Sequence, residues 1–215
     1  MNLRRLGVIA TTLGLAATAA VAAAPAATAS GTSTGTRSLA AVLTSDGNRF
    51  DRNWYDYDIV TEAVLAVLAA KPASPVGLLT DGTVPLTAFI PDDRAFQVLA
   101  RDLTGTWPTT EKRTLNALVA AAGVDAIEQV LLYHVVPGAA ITRKAAVNAN
   151  GVVLTTAEGG TIKVRVFSRY LPIVELRDQD PDDVNPFLDP RALDINAGNA
   201  QVAHGIVLVL RPVDL

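Results

Sequence analysis

Two histidines, His134 and His204, are the only side chains here whose ordinary pKa lies near neutrality, and the chain has no cysteine. Nucleophilic catalysis would therefore need a hydroxyl beside one of two imidazoles. Gly31-Thr32-Ser33-Thr34-Gly35 has the written form of a hydrolase nucleophile elbow. That motif works only where a strand ends and a helix begins, and here it lies in a run of small polar residues. Phosphate loops, His-Glu-x-x-His zinc helices and dinucleotide glycine fingerprints do not occur. The expectation is no enzyme, no cofactor and no metal. His134 stands in Leu131-Leu132-Tyr133-His134-Val135-Val136-Pro137-Gly138. Its expected role is structural, because a buried imidazole needs partners at its nitrogens and would then pin the strand that follows. Contact with a ligand is the competing role for His134 and for Tyr133, whose ring suits a core and whose hydroxyl needs a partner.

Two acidic stretches offer other chemistry. Arg177-Asp178-Gln179-Asp180-Pro181-Asp182-Asp183-Val184-Asn185-Pro186 places carboxylates in a loop bounded by prolines. Such loops hold calcium when the backbone gathers their oxygens, but this one lacks the turn glycine and the closing bidentate Glu of an EF-hand. A solvated loop without a tight calcium site is expected. The second stretch, residues 46–58, mixes Trp54, Tyr55 and Tyr57 with acids and arginines. It reads as an amphipathic cover over the core after a Gly47-Asn48 turn. The alternative is a recognition surface, since Trp, Tyr and Arg are enriched at interfaces, which makes Trp54 and Tyr55 candidate binding residues.

Around these residues the chain divides into three parts. Arg4 and Arg5 precede an uncharged run from Leu6 to Ala24, and Ala27-Thr28-Ala29 has the small-x-small pattern of a cleavage site. Residues 1–29 thus read as a secretory signal, with a membrane anchor as the alternative. Residues 30–38 are small and polar, the composition of a flexible tether. Residues 39–215 form one domain, large enough to bury a core without staples. The absence of cysteine excludes disulfides and thiolate metal sites. A formal net charge of −3, with basic residues scattered among acids, argues against nucleic acid. The mature chain is expected to be secreted or extracytoplasmic with no membrane span. Without a sorting signal before Leu215, any attachment to the envelope would be non-covalent.

The elements follow from periodicity. Val60, Val64, Val67 and Leu68 share one face of a helix that Asp58 can cap and that Lys71-Pro72 stops. Leu86 to Ile90 reads as a strand, and Asp92, after Pro91, can cap a helix burying Phe96 and Leu99. A helix over 110–123 shows Leu115, Leu118 and Val119 on its apolar stripe and ends at Gly123. Asp125 and Glu128, at capping-box spacing, start another. From Pro137 on the period becomes two: Ile162, Val164 and Val166 alternate with Lys163, Arg165 and Phe167, and 152–154 and 173–176 read as companion strands. Residues 205–210, apolar throughout, read as a strand covered on both faces, with Gly205 serving a turn or bulge. Helices first and strands later imply a mixed α+β fold rather than a doubly wound sheet.

Three segments in order carry a resemblance. Thr87-Ala88-Phe89-Ile90-Pro91-Asp92-Asp93-Arg94-Ala95-Phe96, the Tyr133-His134 motif through Pro137 and Gly138, and Ala203-His204-Gly205 through Pro212 resemble the signatures of fasciclin domains. The resemblance implies a wedge-shaped β-sandwich with helices packed along it, and adhesion rather than catalysis. It makes Thr87, Phe89, Pro91, Asp92, Phe96, Pro137, Gly138 and Gly205 structural motif residues. It also links adhesion to the segment around Tyr133 and His134. One departure stands out: His204 precedes Gly205, and Leu208 and Leu210 occupy positions where the family carries a polar pair, so functions needing that pair are not implied. The leading expectation is a surface that binds an extracellular protein or glycan. A purely structural envelope component and, more weakly, a hydrolase are the alternatives. A cleft lined by Trp54 and Tyr55 would favour the first.

Overall fold

A computed structural model describes residues 35–213 apart from 46, 48 and 49. The signal segment, the Ser33 elbow and part of the 46–58 stretch lie outside the described residues. In chain order the elements are α1 (Leu39–Leu43), α2 (Asp58–Ala70), a 3-10 helix (Pro75–Thr80), β1 (Leu86–Pro91), α3 (Asp93–Thr104), α4 (Glu111–Tyr133), β2 (Val135–Pro137), α5 (Arg143–Ala146), β3 (Val153–Thr155), β4 (Thr161–Ser168), β5 (Ile173–Arg177) and β6 (Gln201–Ile206). Helices dominate the first half and strands the second.

Two three-stranded sheets lie at the centre. In the first, β1 is the middle strand, antiparallel to β2 and parallel to β6. Successive side chains of β1 point to opposite faces, so Leu86, Ala88 and Ile90 join the helices while Phe89 joins the second sheet. Both faces are therefore covered, which is why β1 and β6 are buried throughout. The second sheet, β3-β4-β5, is antiparallel and keeps the expected alternation. Ile162, Val164, Val174 and Leu176 meet Phe89, Val136 and Ile206 to form the core between the sheets. The result is a sandwich with a helical layer on its outer face.

The helices form largely as their residues dictate. Asp92 caps α3, accepting from the Ala95 N–H at 2.8 Å, and Phe96 and Leu99 are buried. Thr110 caps α4. Gly123, at φ 79° and ψ 167°, breaks α4 where the sequence expects one helix to end and another to begin. By length and composition alone α4 would suit a membrane, yet it is broken there and packs Leu118 and Leu131 into the same core as α2 and α3.

Other expectations change. Asp58 does not cap α2; it is the buried first residue, and the Ile59 N–H is accepted at 2.9 Å by Asp93. Asp125 and Glu128 form no capping box but share Lys71. The last strand runs over 201–206 rather than 205–210, because its register is set by pairing with β1, from Leu86 opposite Gln201 to Pro91 opposite Ile206. Gly205 makes no bulge. It sits in regular register opposite Ile90, and a Cβ there would lie 2.5 Å from the Tyr57 hydroxyl and 2.7 Å from the Ala192 methyl. Gly35, expected in the tether, pairs with the 198–200 segment through the Gly35 N–H to Gly198 and the Ala200 N–H to Gly35, each 3.0 Å. That turn offers unpaired backbone, which the incoming chain satisfies.

Candidate functional site

Tyr133 and His134 close α4 and lead into β2, so the helix end and the strand start fix both rings in the interior. Tyr133 is fully buried, and its hydroxyl donates to the Thr161 carbonyl at 2.7 Å, tying α4 to β4. His134 Nδ1 donates to the Val130 carbonyl at 2.6 Å while Nε2 accepts from the Leu210 N–H at 2.9 Å. Only the neutral ring with its proton on Nδ1 satisfies both bonds. Burial accordingly pushes the His134 pKa down to about 4. The imidazole pins the chain after β6 rather than the strand that follows it, and neither nitrogen is left for a ligand.

His204 repeats the device with the opposite tautomer. It is fully buried against Phe89, accepts from the Asp194 N–H at 3.2 Å, and donates through Nε2 to the Ile141 carbonyl at 2.7 Å. Burial lowers its pKa as well. The remaining motif residues are also framework. Thr87 donates to the Ala139 carbonyl and accepts from the Ile141 N–H, each at 2.7 Å. Pro137 ends β2, and Gly138, at φ 93°, turns away while its N–H bonds Pro85.

Trp54 and Tyr55 do not share a cleft. Trp54 packs against the helical core, whereas Tyr55 points out with Arg191 5.9 Å from its ring centre. The two stand in the turn that precedes α2, where neighbouring side chains leave the backbone in different directions. The two voids described are apolar-walled spaces of about 20 and 40 Å³, far below a ligand pocket of roughly 300–1,000 Å³.

The acidic loop has a cation that the sequence reading missed. Arg211 enters it from the C-terminal segment, its Nε 2.9 Å from Asp183, one terminal nitrogen 2.9 Å from Asp102 and the other 3.8 Å from Asp180. The Arg211 N–H is held by Asp178 at 2.9 Å. A planar guanidinium with several donors suits this convergence of carboxylates. The loop is thus wrapped on an arginine, which supplies the positive charge a calcium ion would bring.

The exposed large hydrophobics gather most closely on the second sheet. At the β4–β5 turn Tyr170 is 96% and Leu171 70% exposed, flanked by the exposed Phe167 and Ile173. Phe167 lies 6.0 Å from Phe187 with the Arg165 guanidinium 4.5 Å from its ring. The sequence held a signal for this: Phe167 occupies an outward position of the β4 alternation, and Tyr170-Leu171-Pro172 fills a turn where polar residues are usual.

A family model described as "Fasciclin domain" matches residues 61–209. The fold is similar to a solved FAS1 domain pair from the insect cell adhesion molecule fasciclin I, with a TM-score of 0.52 and 16% identity. That match covers 81% of this chain and 50% of the insect one, so the chain spans about half the length of that structure. No curated protein matches.

Proposed function

The chain belongs to the fasciclin domain family, and from that premise we propose that it is an exported, non-catalytic binding module that adheres to an extracellular protein through its second sheet. The observation that carries this is the apolar β4–β5 turn, where Phe167, Tyr170, Leu171 and Ile173 are held out on a framed strand pair. Exposed aromatic and aliphatic clusters on rigid scaffolds are the usual anchors of protein interfaces. A protein partner suits an aliphatic and aromatic tip better than a glycan does, which needs polar groups around its ring stack. The adhesion role printed for the insect structure agrees with this reading. A hydrolase is disfavoured because both imidazoles are buried with their nitrogens engaged. Export rests on Arg4, Arg5, the apolar run and Ala27-Thr28-Ala29.

The test is capture from culture supernatant and envelope fractions with the domain starting at Ser30, beside a Phe167→Ser, Tyr170→Ser, Leu171→Ser variant. Capture of a defined protein, weakened at least tenfold in a variant that melts like the parent, is expected. Equal capture by both would move the surface elsewhere, and no capture by either would favour a purely structural envelope component. The intact mass of the exported protein should correspond to a chain beginning at Ser30; retention of Met1 would favour the anchor.

A further inference from the structure

Three helices begin at one place in the interior, and each begins with an acid: Asp58 in α2, Asp93 in α3 and Glu111 in α4. Asp56 joins them from the preceding segment. One oxygen from each of Asp56, Asp58 and Asp93 lies within 4.8 Å of the others. Asp93 and Glu111 are fully buried, Asp58 nearly so, and Asp56 only partly. Asp58 has a partner of its own. Asp93 accepts from Ile59 through one oxygen; its second oxygen and one of Asp56 are buried and can bond only each other, through a shared proton, and the Glu111 oxygens have no side-chain partner. Among the described residues no Lys or Arg pairs with Asp56, Asp93 or Glu111. The helix dipoles soften the repulsion, yet they do not satisfy those oxygens. Buried carboxylates without partners are among the costliest features a fold can carry, so this arrangement calls for a ligand of opposite charge.

We propose that the cluster is a calcium site, with Asp56, Asp58 and Asp93 as ligands and the buried Glu111 at the start of α4 adding to the negative field around them, against the sequence expectation of no metal. Oxygen-only donors select a hard cation over zinc or copper. A set of protein carboxylates favours calcium over magnesium, which keeps several of its waters, demands a strict octahedron and is held by one or two carboxylates rather than by an all-protein cage. The partly exposed Asp56 gives the ion a way in. An ion here would clamp the starts of all three helices, stabilising the helical layer without touching the exposed turn on the second sheet.

The test is calorimetric titration and thermal melting of the full chain, stripped with chelator and then given calcium or magnesium chloride. One calcium per chain is expected, with a rise of about 5–10 °C at calcium 100-fold above its Kd and a weaker response to magnesium. Asp56→Asn, at the partly exposed ligand, and Asp93→Asn should abolish the response, and Asp180→Asn in the surface loop should leave it intact. Absence of heat and melting shift in the parent at millimolar calcium would overturn the site, leaving a proton shared between Asp56 and Asp93 as the way the charge is relieved. A response lost in Asp180→Asn but kept in Asp56→Asn would overturn it in favour of the loop, and equal affinity for magnesium would overturn the calcium assignment.

Discussion

Two regions of this molecule gather carboxylates, and they manage the charge in opposite ways. In the 178–183 loop the acids surround Arg211, so a residue far along the chain cancels the repulsion between neighbours. At the junction of α2, α3 and α4 the acids are more deeply buried, and no described basic residue pairs with Asp56, Asp93 or Glu111. Burial pushes the Asp93 pKa up to about 9 and that of Glu111 to about 7, the signature of carboxyls that lack a counter-charge. Density of acid in the sequence is thus a poor guide to cation binding. The loop with more carboxylates in a row has a cation, although one buried Asp180 oxygen still lacks a hydrogen bond, and the dispersed set has no described cation.

The comparison breaks most visibly at Arg211. Replacing it by Gln leaves the buried Asp180 facing other acids, and the expected loss is about 3–5 kcal/mol in urea unfolding. Calcium should restore part of that loss in the variant while leaving the parent's loop indifferent. A change below about 1 kcal/mol would mean that the loop does not depend on its arginine.

His134 comes next, because it holds Leu210 and so positions Arg211. His134→Ala leaves the Leu210 N–H and the Val130 carbonyl unpaired, which should cost about 1–3 kcal/mol at pH 7. Its pH dependence has a defined sign. The folded pKa of about 4 lies below the ordinary 6.5, so the unfolded chain takes up the proton first. The stability due to neutral His134 is present above pH 6.5 and is lost as the pH falls toward 4, by about 3 kcal/mol at most. Asp178, raised by burial to about 6, acts in the opposite sense over the same window. The difference between parent and His134→Ala isolates the imidazole and should narrow toward pH 4. A constant difference would show that the ring does not titrate with unfolding.

Asp93→Asn sharpens the other side. Asparagine keeps an oxygen for the Ile59 N–H and removes the proton uptake that burial forces on Asp93, so the chelator-treated protein should gain about 1–2 kcal/mol at pH 7. Destabilisation in chelator would show that Asp93 already has a compensating partner. Lys71→Met gives the smallest effect. Lys71 is open to solvent between the exposed Asp125 and the buried Glu128, so screening leaves its pairs modest, and the melting temperature should fall by about 2–4 °C at most.

Much of the framework was legible because its signals are local. Pro91 followed by Asp92 announces a strand ending in a capped helix, and the Ile162, Val164, Val166 alternation marks one buried face. Gly123 marks the break in α4, and His134 between Tyr133 and two valines points to a buried ring. The boundary of β6 was not legible. An apolar run shows that a strand can be covered on both faces, but where it starts depends on register with β1 across more than a hundred residues.

The sequence by itself determined which segments become helix or strand and which faces turn inward, because periodicity and capping act over a few residues. Only the tertiary structure decided what each buried polar group meets. Gln201 accepts from Leu39 and donates to Leu78 and Asp81, Asp93 takes over the cap of α2, and Arg211 rather than an ion fills the acidic loop. The tyrosines and tryptophan of the 54–57 stretch went to different places for the same reason: Trp54 into the helical core, Tyr55 outward and Tyr57 against the bare backbone of Gly205. Electrostatic pairing and close packing act through space over a few ångströms, and residues that satisfy one another there can stand a hundred positions apart in the chain.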